Sequence, residues 1–267
     1  MNRKSFSISL ALLLVISLLA IMAPWVTRYS YDEQNIVEQL QSPSLQHWMG
    51  TDTLGRDLYS RIIYGARTSL MVGLITALFA LILGTVAGAI AGFKGGLADL
   101  LIMRVADLFY IFPSTLIAIL VMIFLGKGVF GILIAIGVTS WVTQARLVRA
   151  QVIQAKEFAY VEAARAAGAS NSSIVFRHIL PNILGPMIVS VTFQIPTNIM
   201  SESFLSFIGL GIQPPLSSWG SLANEGFRGM QSYPHLMIFP GIILFVTLIA
   251  FNYFGDGLRD RMGGERI

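Results

Sequence analysis

The chain has no cysteine in its 267 residues, which excludes disulfides, zinc-thiolate centres and iron-sulfur clusters but does not identify a compartment. Charge is also scarce. Asp, Glu, Lys and Arg make up 12% of the sequence, against about 25% in soluble proteins, while hydrophobic residues make up 55%. The three histidines, His47, His178 and His235, lie outside or at the edges of the apolar stretches. No Asp pair, Ser-His or His-Glu motif falls within those stretches, which disfavours an intramembrane hydrolase. A phosphate-binding Gly-x-x-x-x-Gly-Lys-Ser/Thr loop is missing too, since Gly126-Lys127-Gly128 has neither the spacing nor the following hydroxyl. The chain is therefore expected to bind no cofactor and to draw its energy from elsewhere, either a separate ATPase or an ion gradient. The net charge of +4 comes with no clustered basic face, so lipid is the expected partner and nucleic acid is not.

What is abundant is long apolar sequence. Six stretches, 6–26, 70–93, 100–125, 129–141 (continuing through 148), 183–208 and 236–254, suit a hydrocarbon core of about 30 Å, which needs about 20 helical residues. The length predicts one all-α bundle of six transmembrane helices. The first stretch follows Arg3 and Lys4. A cut after Ala23 would leave Ile21 where a small residue is wanted, with Pro24 next, so the segment reads as a retained span, not a cleaved signal. A cytoplasmic amino terminus then places twelve of the 18 Lys and Arg inside (Arg3, Lys4, Lys94, Arg104, Arg146, Arg149, Lys156, Arg165, Arg177, Arg259, Arg261 and Arg266) and six outside (Arg28, Arg56, Arg61, Arg67, Lys127 and Arg228). That imbalance predicts both termini in the cytoplasm.

One polar stretch between spans, 149–182, stands apart. It carries Glu162-Ala163-Ala164-Arg165-Ala166-Ala167-Gly168, then Ile174, then His178-Ile179-Leu180-Pro181-Asn182. This reads as a short alanine-rich helix, a glycine stop and a second short helix capped by Ser170 or Asn171, closed by Pro181 before the next span. Such a projection suits a groove on a partner. An amphipathic helix on the membrane surface, with Phe158, Val161 and Arg165 at helical spacing, is the other reading.

Within the fifth stretch, Gln194, Asn198, Glu202 and Ser203 are polar at membrane depth, with Pro186 and Pro196 on the same segment. An intramembrane charge costs about 3 kcal/mol or more, so Glu202 is expected either to face a hydrated path or to sit near the outer interface with structural partners. Arg104 and Asp107, three apart, are placed to pair. Gly84, Gly88 and Gly92 form a small-residue ridge for helix packing. His47, Asp52 and Asp57 match no metal-ligand spacing.

The loop resembles the signature of permease subunits of ATP-binding-cassette importers. The resemblance runs on through Gly50-Thr51-Asp52, Leu54-Gly55-Arg56-Asp57, Ser60-Arg61, Gly65 to Leu70, Met103 to Asp107 with Pro113, Leu205 to Gly211, Pro214-Pro215, Trp219-Gly220 and Gly255 to Asp260. These are similar to the C-type subunit of the dipeptide, oligopeptide and nickel group and cover most of the chain from Trp48. The resemblance implies a type I importer permease fold, with residues 1–67 forming an extra span plus an outer segment and 68–267 a five-helix core. It implies that Glu162, Ala163, Ala164, Gly168, Ile174, Leu180 and Pro181 couple the core to two cytoplasmic ATPase subunits, which bind ATP and magnesium. A homologous B-type permease would complete the path, and an extracytoplasmic binding protein would deliver substrate across the bacterial inner membrane. Peptide is the expected substrate. Nickel or a metal chelate is the alternative, as is a self-sufficient secondary carrier, although the chain shows no internal repeat of the kind such carriers carry.

Overall fold

The computed structural model describes residues 3–263. Eleven helices follow one another: α1 Arg3–Ile21, α2 Ala23–Val26, α3 Leu58–Lys94, α4 Gly96–Ile111, α5 Ser114–Leu125, α6 Val129–Ala155, α7 Ala159–Ala166, α8 Asn171–Ser173, α9 Leu180–Phe207, α10 Trp219–Phe227 and α11 His235–Gly263. A 3-10 turn, Ile36–Glu38, lies in the segment between α2 and α3, and a π turn, Ile174–Ile179, joins α8 to α9. Five helical runs are long and apolar enough to cross a membrane, and α4 with α5 makes a sixth if that bent pair counts as one span.

The third apolar stretch is not the single helix expected. It breaks at Phe112-Pro113, and α4 and α5 meet at 92°. Proline bars its predecessor from the helical region, and Phe112 is accordingly extended at φ −91°, ψ 143°. The second stretch is longer than expected. α3 has 37 residues and so spans about 55 Å, well beyond a hydrocarbon core, and it runs unbroken across positions 67 and 68. Its extra turns begin at Asp57, whose carboxylate caps the helix by accepting from the Ser60 amide at 2.8 Å.

Those extra turns are buried against the segment between α2 and α3 and against α10. Arg61, fully buried, donates to Asp52 at 2.6 Å and also to Glu225 on α10, while Arg56 reaches the same two acids at 2.7 and 3.2 Å. His47 Nδ1 lies 2.9 Å from Asp57. Of the three residues weighed as metal ligands, His47 and Asp57 pair with each other while Asp52 holds Arg56 and Arg61. Trp219 is fully buried beside them, its indole N–H donating to the Ile62 carbonyl at 3.2 Å.

At the centre, α3 packs on α6 along the glycine ridge. A Cβ on Gly84 would come within 2.6 Å of Gln144 Cβ, one on Gly88 within 2.8 Å of Val148 Cβ, and one on Gly92 within 3.0 Å of Val152 Cβ. Only hydrogen at those positions lets the two backbones approach so closely. Arg149 bonds Asp99 through two nitrogens at 2.5 and 2.6 Å, tying α4 to α6. Asp107 pairs with Arg146 at 2.7 Å and not with Arg104 as expected, because Arg146 crosses over from the facing helix and also stacks on Tyr110.

α1 lies along α11, with Phe6 stacked on Phe254 at 5.3 Å and Arg261 over the Phe6 ring at 3.7 Å. The start of α1, the end of α11 and the α7–α8 segment thus share one end of the bundle. Arg266 lies outside the described residues.

Candidate functional sites: a terminal knob and an open groove

α7 stands at that end as a small knob. Its inner side is apolar: Val161 is fully buried with Ile174 and Ile179, in a cluster with Ala89 of α3, Val148, Val152 and Ala155 of α6, and Ile183 and Met187 of α9. Lys156 fastens its root to α3 by donating to the Phe93 carbonyl at 3.0 Å. Because Val161 points inward, Phe158, Val161 and Arg165 do not form one lipid-facing stripe. The outward side carries Glu162, Ala163, Arg165 and Ala166, flanked by the exposed aromatic pair Phe158 and Tyr160.

The knob's geometry is set at Gly168, where φ is +83°. The Ala169 amide donates back to the Ala164 carbonyl and the Gly168 amide to the Arg165 carbonyl, both at 3.0 Å. This is the Schellman pattern, and it needs a left-handed residue at that step. Ala164 and Ala169 supply the accompanying apolar contact against the buried cluster. Ser170 then caps the next helix, its hydroxyl accepting from the Ser173 amide at 3.3 Å.

Beyond Ser170 the structure departs from expectation. The second short helix does not end at Pro181; it continues as one helical run, Asn171–Phe207. Proline lacks the N–H that an α ladder would use, and the chain widens to a π turn just before it, with the Leu180 amide reaching Val175 O. Pro181 sits in the first turn of the α-helical part, where a missing donor costs nothing. α8 is therefore continuous with α9, and any displacement of α8 by the neighbouring knob acts directly on that span. Of the seven residues expected in coupling, Glu162, Ala163 and Gly168 are exposed on the knob and Ala164, Ile174 and Leu180 pack beneath it. Pro181 lies apart from them, in the groove described next.

That groove, about 920 Å³, opens along α9 between α6 and the end of α11. Thr143, Ser190, Phe193, Gln194 and Thr197 line its middle, with Pro186 alongside and Arg259 at the knob end. It divides the four polar residues expected on a path. Gln194 faces the groove, whereas Asn198, Glu202 and Ser203 lie on the other side of α9, nearly or fully buried. Asn198 bonds Thr76 of α3 at 2.7 Å and Ser140 of α6 at 3.0 Å. Glu202 accepts from Ser206 at 2.6 Å and from Ser69 at 3.3 Å, and Ser69 also receives the Trp219 amide. These three brace the wall behind the groove. Thr197 and Ser190 were not singled out from sequence, although with Gln194 and Ser201 they form a stripe at helical spacing that the sequence displays.

Comparison with known proteins gives consistent results. Residues 84–263 match the family described as binding-protein-dependent transport system inner membrane component, and residues 1–43 match the N-terminal TM domain of oligopeptide transport permease C. The oligopeptide transport system permease protein OppC of Bacillus subtilis (strain 168) is 42% identical over 261 residues, covering 98% of this chain and 86% of that one. The dipeptide transport system permease protein DppC of the same organism is 42% identical over 95% of this chain and 79% of its own. The glutathione transport system permease protein GsiD of Pectobacterium atrosepticum is 41% identical over 88% and 76%. Among solved structures, an inward-facing MetNI methionine ABC transporter chain matches with TM-score 0.58 at 17% identity, covering 75% of this chain and 95% of that one. An amino acid ABC transporter matches with TM-score 0.59 at 16% identity, covering 76% and 93%. At that identity the structures speak for the fold alone.

Proposed function

The chain belongs to the inner membrane component family of binding-protein-dependent transport systems, with a type I importer permease fold, and from that premise we propose that it is one half of the translocation path of an ATP-driven importer of di- and oligopeptides. The observation that carries this is the knob: an exposed helix bearing Glu162 and Ala163, packed on three spans and joined through the Gly168 turn to the helical run that lines the groove. Two cytoplasmic ATPase subunits would bind ATP and magnesium and close on each other. Each would carry a docked knob with it and rock α9 between inward-open and outward-open arrangements. A homologous permease would face the groove and complete the path, and an extracytoplasmic binding protein would deliver the peptide. The excess of Lys and Arg at the knob end supports a cytoplasmic placement for that end and for both termini. This chain performs no bond chemistry in the scheme.

Reconstitution tests the proposal. Proteoliposomes holding this chain, its partner permease, the ATPases and the binding protein are expected to take up a tripeptide only when ATP is supplied, and this chain alone neither to hydrolyse ATP nor to move the tripeptide. Uptake by the lone chain under an ion gradient would overturn the reading in favour of a secondary carrier. Ligand profiling of the binding protein separates peptide from nickel or a metal chelate.

A further inference from the structure

Two hydroxyls on the groove-side stripe of α9 spend their hydrogens on the helix's own backbone and keep only acceptor capacity. Thr197 donates its hydroxyl hydrogen to the Phe193 carbonyl at 2.9 Å, and Ser201 donates to the Thr197 carbonyl at 2.9 Å. Each is then left with oxygen lone pairs and no hydrogen to give. Gln194 is fixed through a chain of partners. Thr76 donates to the Val72 carbonyl at 2.7 Å, so its oxygen must accept from Asn198 Nδ2 at 2.7 Å. That sets the Asn198 amide with Oδ1 toward Gln194, which must present Nε2 to it at 3.0 Å. Gln194 keeps Oε1 as an acceptor at the groove, beside the second hydrogen of its Nε2.

We infer that Gln194, Thr197 and Ser201 form a ladder of neutral hydrogen-bond acceptors that receives the backbone N–H groups and terminal ammonium of a peptide in transit. The inference rests on the proposed peptide-import function and names the recognition chemistry of its path. Along the helix the two intervals rise about 4.5 and 6 Å at 1.5 Å per residue. The second is close to the spacing of about 6.6 Å between N–H groups on one side of an extended strand, and the first is shorter. Among the described residues no Asp or Glu lines the groove, whose one charged lining residue is Arg259 at the knob end, so the rungs attract donors without the negative charge that would hold a cationic peptide in place. Side-chain identity is not read, which suits a path that must pass whatever its binding protein delivers.

The test uses the complete assembly in proteoliposomes at saturating, fully loaded binding protein, so that affinity for the binding protein drops out. The probes are a tripeptide and the same tripeptide N-methylated at its central amide. Wild type is expected to move the methylated peptide roughly 3- to 10-fold more slowly, the effect of one lost hydrogen bond. Thr197→Val, which keeps the shape and removes the acceptor, is expected to slow the parent peptide and shrink that ratio toward one. Thr197→Ser is expected to restore it, and Ser201→Ala gives an independent second removal. An unchanged ratio in both Thr197→Val and Ser201→Ala overturns the ladder. So does a loss of assembly without a change in ratio, which would mark the stripe as a subunit interface. Absence of ATP-driven tripeptide uptake by wild type defeats the proposed function itself, and the ladder with it.

Discussion

Replacing Gly168 by valine isolates the turn that orients the knob. A Cβ at this position meets no atom within 4 Å beyond its chain neighbours, so the space is open and the main cost of substitution is conformational. The backbone sits at φ +83°, where a Cβ costs roughly 1–2 kcal/mol, with a β-branched residue at the upper end. A penalty of about 2 kcal/mol shifts the turn equilibrium about 30-fold against the two 3.0 Å hydrogen bonds that close α7. Gly168→Ala should shift it roughly 5-fold, at about 1 kcal/mol. Asparagine visits the left-handed region more readily than other side chains, and Gly168→Asn should stay near wild type. The assay is tripeptide uptake per ATP hydrolysed in the full assembly, with insertion of each variant checked by its yield in the membrane. The expected order is Gly, Asn, Ala, Val, at equal membrane yield. If valine couples as well as asparagine, or both fail alike, the conformational argument is wrong.

Three further predictions follow the same logic. Gly88→Leu should separate α3 from α6 and lower stability by about 3 kcal/mol, read as thermal unfolding in detergent, since a Cβ there already meets Val148 at 2.8 Å; unchanged melting would refute the ridge. Arg61→Ala should cost about 3 kcal/mol in the same assay by leaving the buried Asp52 and its neighbour Glu225 undercompensated, whereas an exposed Arg165→Ala should cost under 0.5 kcal/mol. Because the native chain has no cysteine, Thr197→Cys should react with a membrane-impermeant thiol reagent at a rate that depends on nucleotide, while Glu202→Cys stays protected throughout. Equal reactivity at the two positions would show that α9 presents a different face to the path.

The sequence carried the bundle well and side-chain direction poorly, for identifiable reasons. Apolar length marks spans because the bilayer imposes it, and the glycine ridge at 84, 88 and 92 is legible because only small residues permit that approach. The break at Phe112-Pro113 was present as a proline in an apolar run, but proline is tolerated within membrane helices, as Pro186 and Pro196 of α9 illustrate, so the residue alone did not decide between a kink and a break. Pro181 misled in the opposite sense: a π turn absorbs it, and the hydrogen bonds of a π turn leave no residue signature. In α9 the polar residues 194, 198, 202 and 203 look alike in one dimension. Which of them faces water depends on Thr76, Ser140 and Ser69, partners on helices more than 50 residues away. The Arg146–Asp107 pair was hidden for the same reason, since Arg104 is nearer in sequence and Arg146 nearer in space.

The central claim is that the exposed face of α7 is where an ATPase takes hold. A photo-activatable crosslinker placed at Ala163, on that face, should capture an ATPase subunit of the assembly in native membranes, in a yield that changes between nucleotide-free and ATP-bound states. The same crosslinker at Leu45, 92% exposed in the segment between α2 and α3, should capture none. Capture of the ATPase from Leu45, or its absence from Ala163 in every nucleotide state, would contradict the account.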